Sequence, residues 1–215
     1  MTPRVFIALP HYGTGVACTR ALVEAQRRHP DWPLSMVERQ FSGLTENFNA
    51  LVCEMLTWRH RARFTHFLMV HADVRPAGDD WLGTLISEMA RVDADVLSVV
   101  IPLKAAGGLT STALDTDPWQ PRRLTLSEVR ERPVTFTDDA LLVNTGLMLW
   151  RIGDWCEHVH FRVRDAIVHE GGQWRAKFAP EDWEFSRDAR ALGLKLFATT
   201  AIGVEHVGAQ VWARA

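Results

Sequence analysis

The sequence has a single tyrosine in 215 residues and only three cysteines, Cys18, Cys53 and Cys156. Three scattered thiols with no knuckle spacing argue against a disulfide framework and against a cysteine zinc site, and they fit a reducing compartment. No apolar run is long enough to cross a bilayer, so no membrane partner is expected. Charge of one sign is also lacking. The 24 Lys and Arg stand against 26 Asp and Glu, a net −2, which argues against coating nucleic acid by charge alone. Internal repeats, low-complexity tracts and linkers are absent. The opening MTPRVFIALPHYG carries one short apolar run leading straight into a turn, and it reads as a first strand and not as a signal peptide.

What remains is an ordinary globular balance, 47% hydrophobic and 23% charged. It suits one domain spanning 1–215 with a sizeable core. Nine tryptophans stand out. Tryptophan fills cores, and it also stacks on sugars and bases.

Residues 5–9 form a short apolar run ended by Pro10, the signal of a buried strand. A helix is expected over 13–28, stopped by His29-Pro30. A second strand is expected at 34–37, then a helix capped by Thr45 that runs through Phe48, Leu51, Val52, Met55 and Leu56. The apolar run 67–70 delivers His71-Ala72-Asp73 at its tip. Asp79 or Asp80 caps the next helix, and a strand follows at 96–101. Thr125 and Glu128 have capping-box spacing. Residues 141–150 look strand-like around Asn144-Thr145-Gly146, 181–192 helical, and 194–198 extended. Alternating strands and helices predict an α/β fold, with a mostly parallel sheet covered by helices on both faces. Ligands bind such sheets at the carboxyl ends of strands, and Asp73 falls at one.

Three polar segments could carry chemistry. Asp73 could give an oxygen ligand to a divalent cation on a diphosphate, although an Asp after a strand also starts ordinary turns. Pro180-Glu181-Asp182-Trp183-Glu184 opens a helix. Its carboxylates offset the helix dipole, and one could serve as a general base. His206, between Gly203 and Gly208, offers an imidazole for metal or for structure.

Taken in order, Asp73, then 144–151 (Asn-Thr-Gly-Leu-Met-Leu-Trp-Arg), then Glu181-Asp182-Trp183-Glu184-Phe185 with Arg187 and Gly193, then His206, resemble the landmarks of GT-A glycosyltransferases. The resemblance is especially to the inverting family-2-like branch and to short, stand-alone phage-type members. The resemblance runs from about Val5 to Gly208. It implies a GT-A, Rossmann-like fold and transfer of a hexose from a nucleotide sugar, a UDP-sugar favoured, to an acceptor hydroxyl. It implies Mn²⁺ or Mg²⁺ on Asp73 and His206, with His71 standing where the family's metal motif begins with Asp. Asp182 becomes the base, with Glu181 beside it. Pro10, His11, Tyr12 and either Asn47 or Asn49 would meet the nucleotide together with His71 and Asp73. Asn144, Thr145, Gly146 and Trp183 would line the acceptor side. The expected location is the cytoplasm of a bacterium or of an infected host cell.

Arginines recur in Trp58-Arg59-His60-Arg61-Ala62-Arg63-Phe64 and at Arg122, Arg123, Arg130, Arg132, Arg162 and Arg164. They read either as solvated helix ends or as a track for a phosphate backbone. With the resemblance to phage enzymes, the second choice makes a hydroxymethylated pyrimidine in DNA, such as 5-hydroxymethylcytosine, one acceptor to test beside a glycan or small molecule. Two other readings stay open. A sugar nucleotidyltransferase has a similar sheet, but its Gly-rich basic signature is missing from 9–15, which holds no Lys or Arg. A non-catalytic carbohydrate- or DNA-binding module would use the tryptophans.

Overall fold

The computed structural model describes residues 2–11, 17–40, 43–105, 107–208 and 211–213. In chain order these form β1 (Val5–His11), α1 (Thr19–Arg28), β2 (Leu34–Gln40), α2 (Leu44–Ala62), β3 (His66–Val70), β4 (Val74–Pro76), α3 (Trp81–Arg91) and β5 (Val96–Val99). Then come β6 (Leu109–Leu114), β7 (Arg122–Thr125), α4 (Leu126–Arg130), β8 (Thr135–Phe136), β9 (Leu141–Leu142), β10 (Leu147–Arg151), β11 (Arg164–Glu170) and β12 (Gln173–Ala179). The chain closes with α5 (Glu181–Ala191), β13 (Leu196–Thr199), β14 (Val204–Val207) and β15 (Val211–Ala213).

Among the described residues seven strands make the central sheet, in the order β2-β1-β3-β10-β5-β13-β8. β2, β1, β3, β5 and β13 run one way, and β10 and β8 run against them. Both faces are covered, because side chains alternate along each strand. In β1, Phe6 and Ala8 join Phe48, Leu51 and Met55 of α2 and Phe185 of α5 in one core. Val5, Ile7 and Leu9 join Leu22 of α1 and Trp81, Leu82 and Leu85 of α3 in the other. This is the expected Rossmann-like α/β architecture. Within the first core Trp150, Phe161 and Phe185 stack with ring centroids 5.0–5.9 Å apart, which fixes α5 against β10.

Several local signals act as read. Asp80 caps α3 by accepting from the Gly83 N–H at 3.2 Å. Thr125 and Glu128 form the reciprocal capping box of α4. Others are corrected. α2 begins at Leu44 behind Gly43, so Thr45 lies inside the helix and does not cap it. The helix read over 13–28 is helical from Thr19. The strand read over 141–150 is two strands, because the Asn144 side chain accepts from the Gly146 N–H at 3.0 Å and folds the chain between them. The hairpin β11–β12 was not read at all. Its turn is Gly171-Gly172, both at positive φ (58° and 76°), as a two-residue hairpin turn requires. Among the described residues no helix is long and apolar enough to cross a membrane.

Candidate active site

β3 carries apolar Phe67 to Val70 into the sheet and ends at a turn, which the Val74 N–H closes by donating to His71 O at 3.0 Å. β4 then leaves, and β14 pairs antiparallel with it, setting His206 opposite Val74. The Val207 N–H donates to Asp73 O at 2.7 Å. This pairing brings residues 73 and 206 together, with His206 Nε2 3.5 Å from Asp73 Oδ2.

The tautomer of His206 follows from its other nitrogen. Nδ1 lies 2.9 Å from Pro102 O, and a carbonyl only accepts, so Nδ1 carries the proton. When the ring is neutral, Nε2 is left as a lone pair 3.5 Å from Asp73 Oδ2. A carboxylate oxygen and an imidazole nitrogen side by side could both face a divalent cation such as Mn²⁺. Among the described residues no group of three or more His, Cys, Asp or Glu could hold a metal.

Sequence reasoning did not single out the third member of this cluster. Lys104 donates to Asp73 Oδ2. Burial pushes the Asp73 carboxyl up, but contact with His206 and Lys104 outweighs it and holds the group well below the usual range. Burial lowers His71 to about 4, which keeps it neutral. Its ring tilts against Phe48, and its buried Nε2 finds no partner among the described residues.

A second cluster forms where β12 runs into α5. Asp182 Oδ1 accepts from the Trp183 N–H at 2.8 Å. Burial, with Glu181 alongside, pushes Asp182 up to about 7, while Arg123 and the backbone N–H pull the other way. Glu181 is itself buried and raised. Arg123, from β7, lies 5.0 Å over the Trp183 ring and donates to Thr110 O and Ser111 O. Trp183 packs on Ala113, Leu142 and Ala179, and its buried Nε1 has no partner among the described residues.

The strap 143–146 touches both clusters. The Ser186 hydroxyl accepts from the Val143 N–H and donates to Asp182 O, and Gly146 O accepts from the His71 N–H at 2.8 Å. Asn144 and Thr145 are each only 3% exposed. Asn144 donates to Val99 O as well as accepting from Gly146. The amide of Asn144, expected to meet the acceptor, is thus spent on the strap. The strap packs closely at Gly146, where a Cβ would sit 2.6 Å from Ile101 Cδ1 and 3.3 Å from Val74 Cγ2.

The other expected residues separate. Pro10 and His11 end β1, the parallel neighbour of β3, and so reach the same rim. His11 Nε2 lies 2.9 Å from Glu38 Oε1. Tyr12 lies outside the described residues. Buried Asn47 donates to Arg39 O. Asn49 is removed from the nucleotide set, because both ends of its amide bind the Phe161 backbone at 2.7 Å. The arginines expected to form a phosphate track are mostly paired: Arg59 with Glu157, Arg122 with Glu128, Arg132 with Asp138, Arg162 with Asp188, and Arg164 with Glu184.

Comparison with solved structures supports the fold. A197 from STIV superposes with a TM-score of 0.57 at 12% identity, over 99% of this chain and 94% of that one. A glycosyltransferase involved in the glycosylation of the major capsid of PBCV-1 gives 0.38 at 11% identity, over 73% of this chain and 63% of that one. The sequence matches no family model and no curated protein. At such identities the first likeness speaks for a shared fold alone, and the second carries no weight.

Proposed function

We propose that the chain is an inverting glycosyltransferase of the GT-A type, moving a sugar from a nucleotide-sugar donor, a UDP-sugar by preference, to an acceptor hydroxyl. The observation that carries this reading is the meeting of Asp73 and His206 at the carboxyl-end rim of the sheet, where open α/β sheets bind their ligands. Mn²⁺ or Mg²⁺ held by these two residues would supply charge neutralisation for the departing diphosphate. Asp182 takes the proton of the acceptor hydroxyl as that oxygen bonds to the anomeric carbon. The bond from that carbon to the diphosphate breaks on the opposite face, and its electron pair leaves with the phosphate. A carboxyl poised at about 7 suits a base working at neutral pH. Burial keeps it there, and the neighbouring Glu181 adds to the effect. The pairing of the arginines favours a glycan or small-molecule acceptor over a phosphate backbone.

A thermal-shift screen of nucleotide sugars with Mn²⁺ tests this. A ligand at a hundred times its Kd adds about 2.7 kcal/mol to a protein it binds only when folded. Stabilisation and Mn²⁺-dependent donor hydrolysis are expected. No response to any nucleotide sugar overturns the reading, and pyrophosphate release from a nucleoside triphosphate replaces it with sugar nucleotidyl transfer.

A further inference from the structure

We propose that Lys104 is the built-in counter-ion of this site: its ammonium holds Asp73 while no donor is bound, and turns onto the donor's diphosphate when a divalent ion takes Asp73 over. This rests on the reading of the rim as a nucleotide-sugar site. Lys104 lies on the segment after β5 whose Pro102 carbonyl also orients His206. The base of that segment is pinned. The Ser111 N–H donates to Ile101 O at 2.8 Å, and the Leu103 N–H to Leu109 O at 2.9 Å. The backbone therefore stays put, while a four-carbon stem leaves the ammonium free to move. Its side chain is 32% exposed and that of Asp73 45%, so both are reachable from solvent. The Asp73 carboxylate calls for positive charge, and Lys104 supplies it. When a divalent ion takes that place, ion and ammonium repel each other. The nearest use for a displaced ammonium, a compact point charge, is a phosphate oxygen.

Displacement gives a signature that a merely structural lysine does not. Lys104→Met keeps the stem and removes the charge. Mn²⁺ alone, read by the electron paramagnetic resonance of the free ion, is expected to bind this variant about three- to fivefold more tightly than the wild type, the size of a partly exposed ion pair. UDP with saturating Mn²⁺, read by calorimetry, is expected to bind it about tenfold more weakly, as when a hydrogen bond to a charged group is lost. Lys104→Arg, which keeps the charge, is expected to restore most UDP binding, and unchanged melting of both variants confirms that they fold. Equal Mn²⁺ affinity in Lys104→Met and wild type overturns the proposal. So does equal UDP affinity, which leaves the donor reading standing. UDP binding by neither protein overturns the donor reading and this proposal together.

Discussion

The backbone N–H of Val143 donates to the Ser186 hydroxyl at 3.0 Å. That contact ties the strap 143–146 to the helix carrying Asp182, and three residues later Gly146 O holds the His71 N–H. One buried segment thus sets the position of the raised carboxylate and of the strand tip that presents Asp73. The two chemical groups need no direct contact to be placed relative to each other.

Asp182→Asn is expected to lower kcat by about 10²–10⁴-fold, the usual contribution of a general base, and to leave UDP affinity unchanged. Calorimetry and steady-state kinetics check both halves. In the wild type, kcat/KM should rise with pH until the carboxyl at about 7 has lost its proton, then level off. The variant should lack that rise.

The same substitution is expected to stabilise the fold at high pH. Asp182 has a folded-state pKa above its unfolded value of 3.8. The native state therefore binds the extra proton, and stability falls as pH climbs from the unfolded value to about 7. Asparagine removes that loss. The melting temperature of Asp182→Asn should exceed the wild type's by more at pH 8 than at pH 5.

Asp73→Asn and His206→Ala should each weaken Mn²⁺-dependent UDP binding by about tenfold or more, since even the outer partners of metal ligands are worth that much. Binding of UDP with EDTA present should change far less. Calorimetry with and without Mn²⁺ separates the two.

Gly146→Ala introduces a methyl 2.6 Å from Ile101 Cδ1 and 3.3 Å from Val74 Cγ2, in a fully packed interior. Overpacking of this kind costs about 1–3 kcal/mol, measurable by urea denaturation. Turnover is expected to fall with it, because the strap reaches both clusters.

How much of this was legible depended on whether the signal was local. Asp80 and Thr125 announced their helices because a cap speaks to a backbone N–H only three residues on. Asp73 was readable because an apolar strand stops beside it. The strand β11 was hidden by its composition, since Ala166, Ile167 and Val168 are apolar in a row although the strand alternates in exposure; Gly171-Gly172 was its one local signal, and it went unread. The partner of His206 came from resemblance, and nothing near residue 206 spells out the β4–β14 register that delivers it. Lys104 had no signal, because a lysine in a loop looks alike whether it meets water or residue 73. Asn49 and Asn144 misled for the opposite reason: polar residues near a landmark suggest a ligand, and burial gives them backbone partners instead.

β3 and β5 lie on either side of β10 and do not pair with each other. During synthesis the first three strands can zip together as soon as they emerge, but the fourth place stays open until the ribosome has passed Arg151. Until then an apolar edge waits in the nascent chain, exposed to wrong partners. Closing it is a long-range event, of the kind that slows folding. Fragments cut before β10 should accumulate as aggregates, while the full chain passes this checkpoint once its keystone strand arrives.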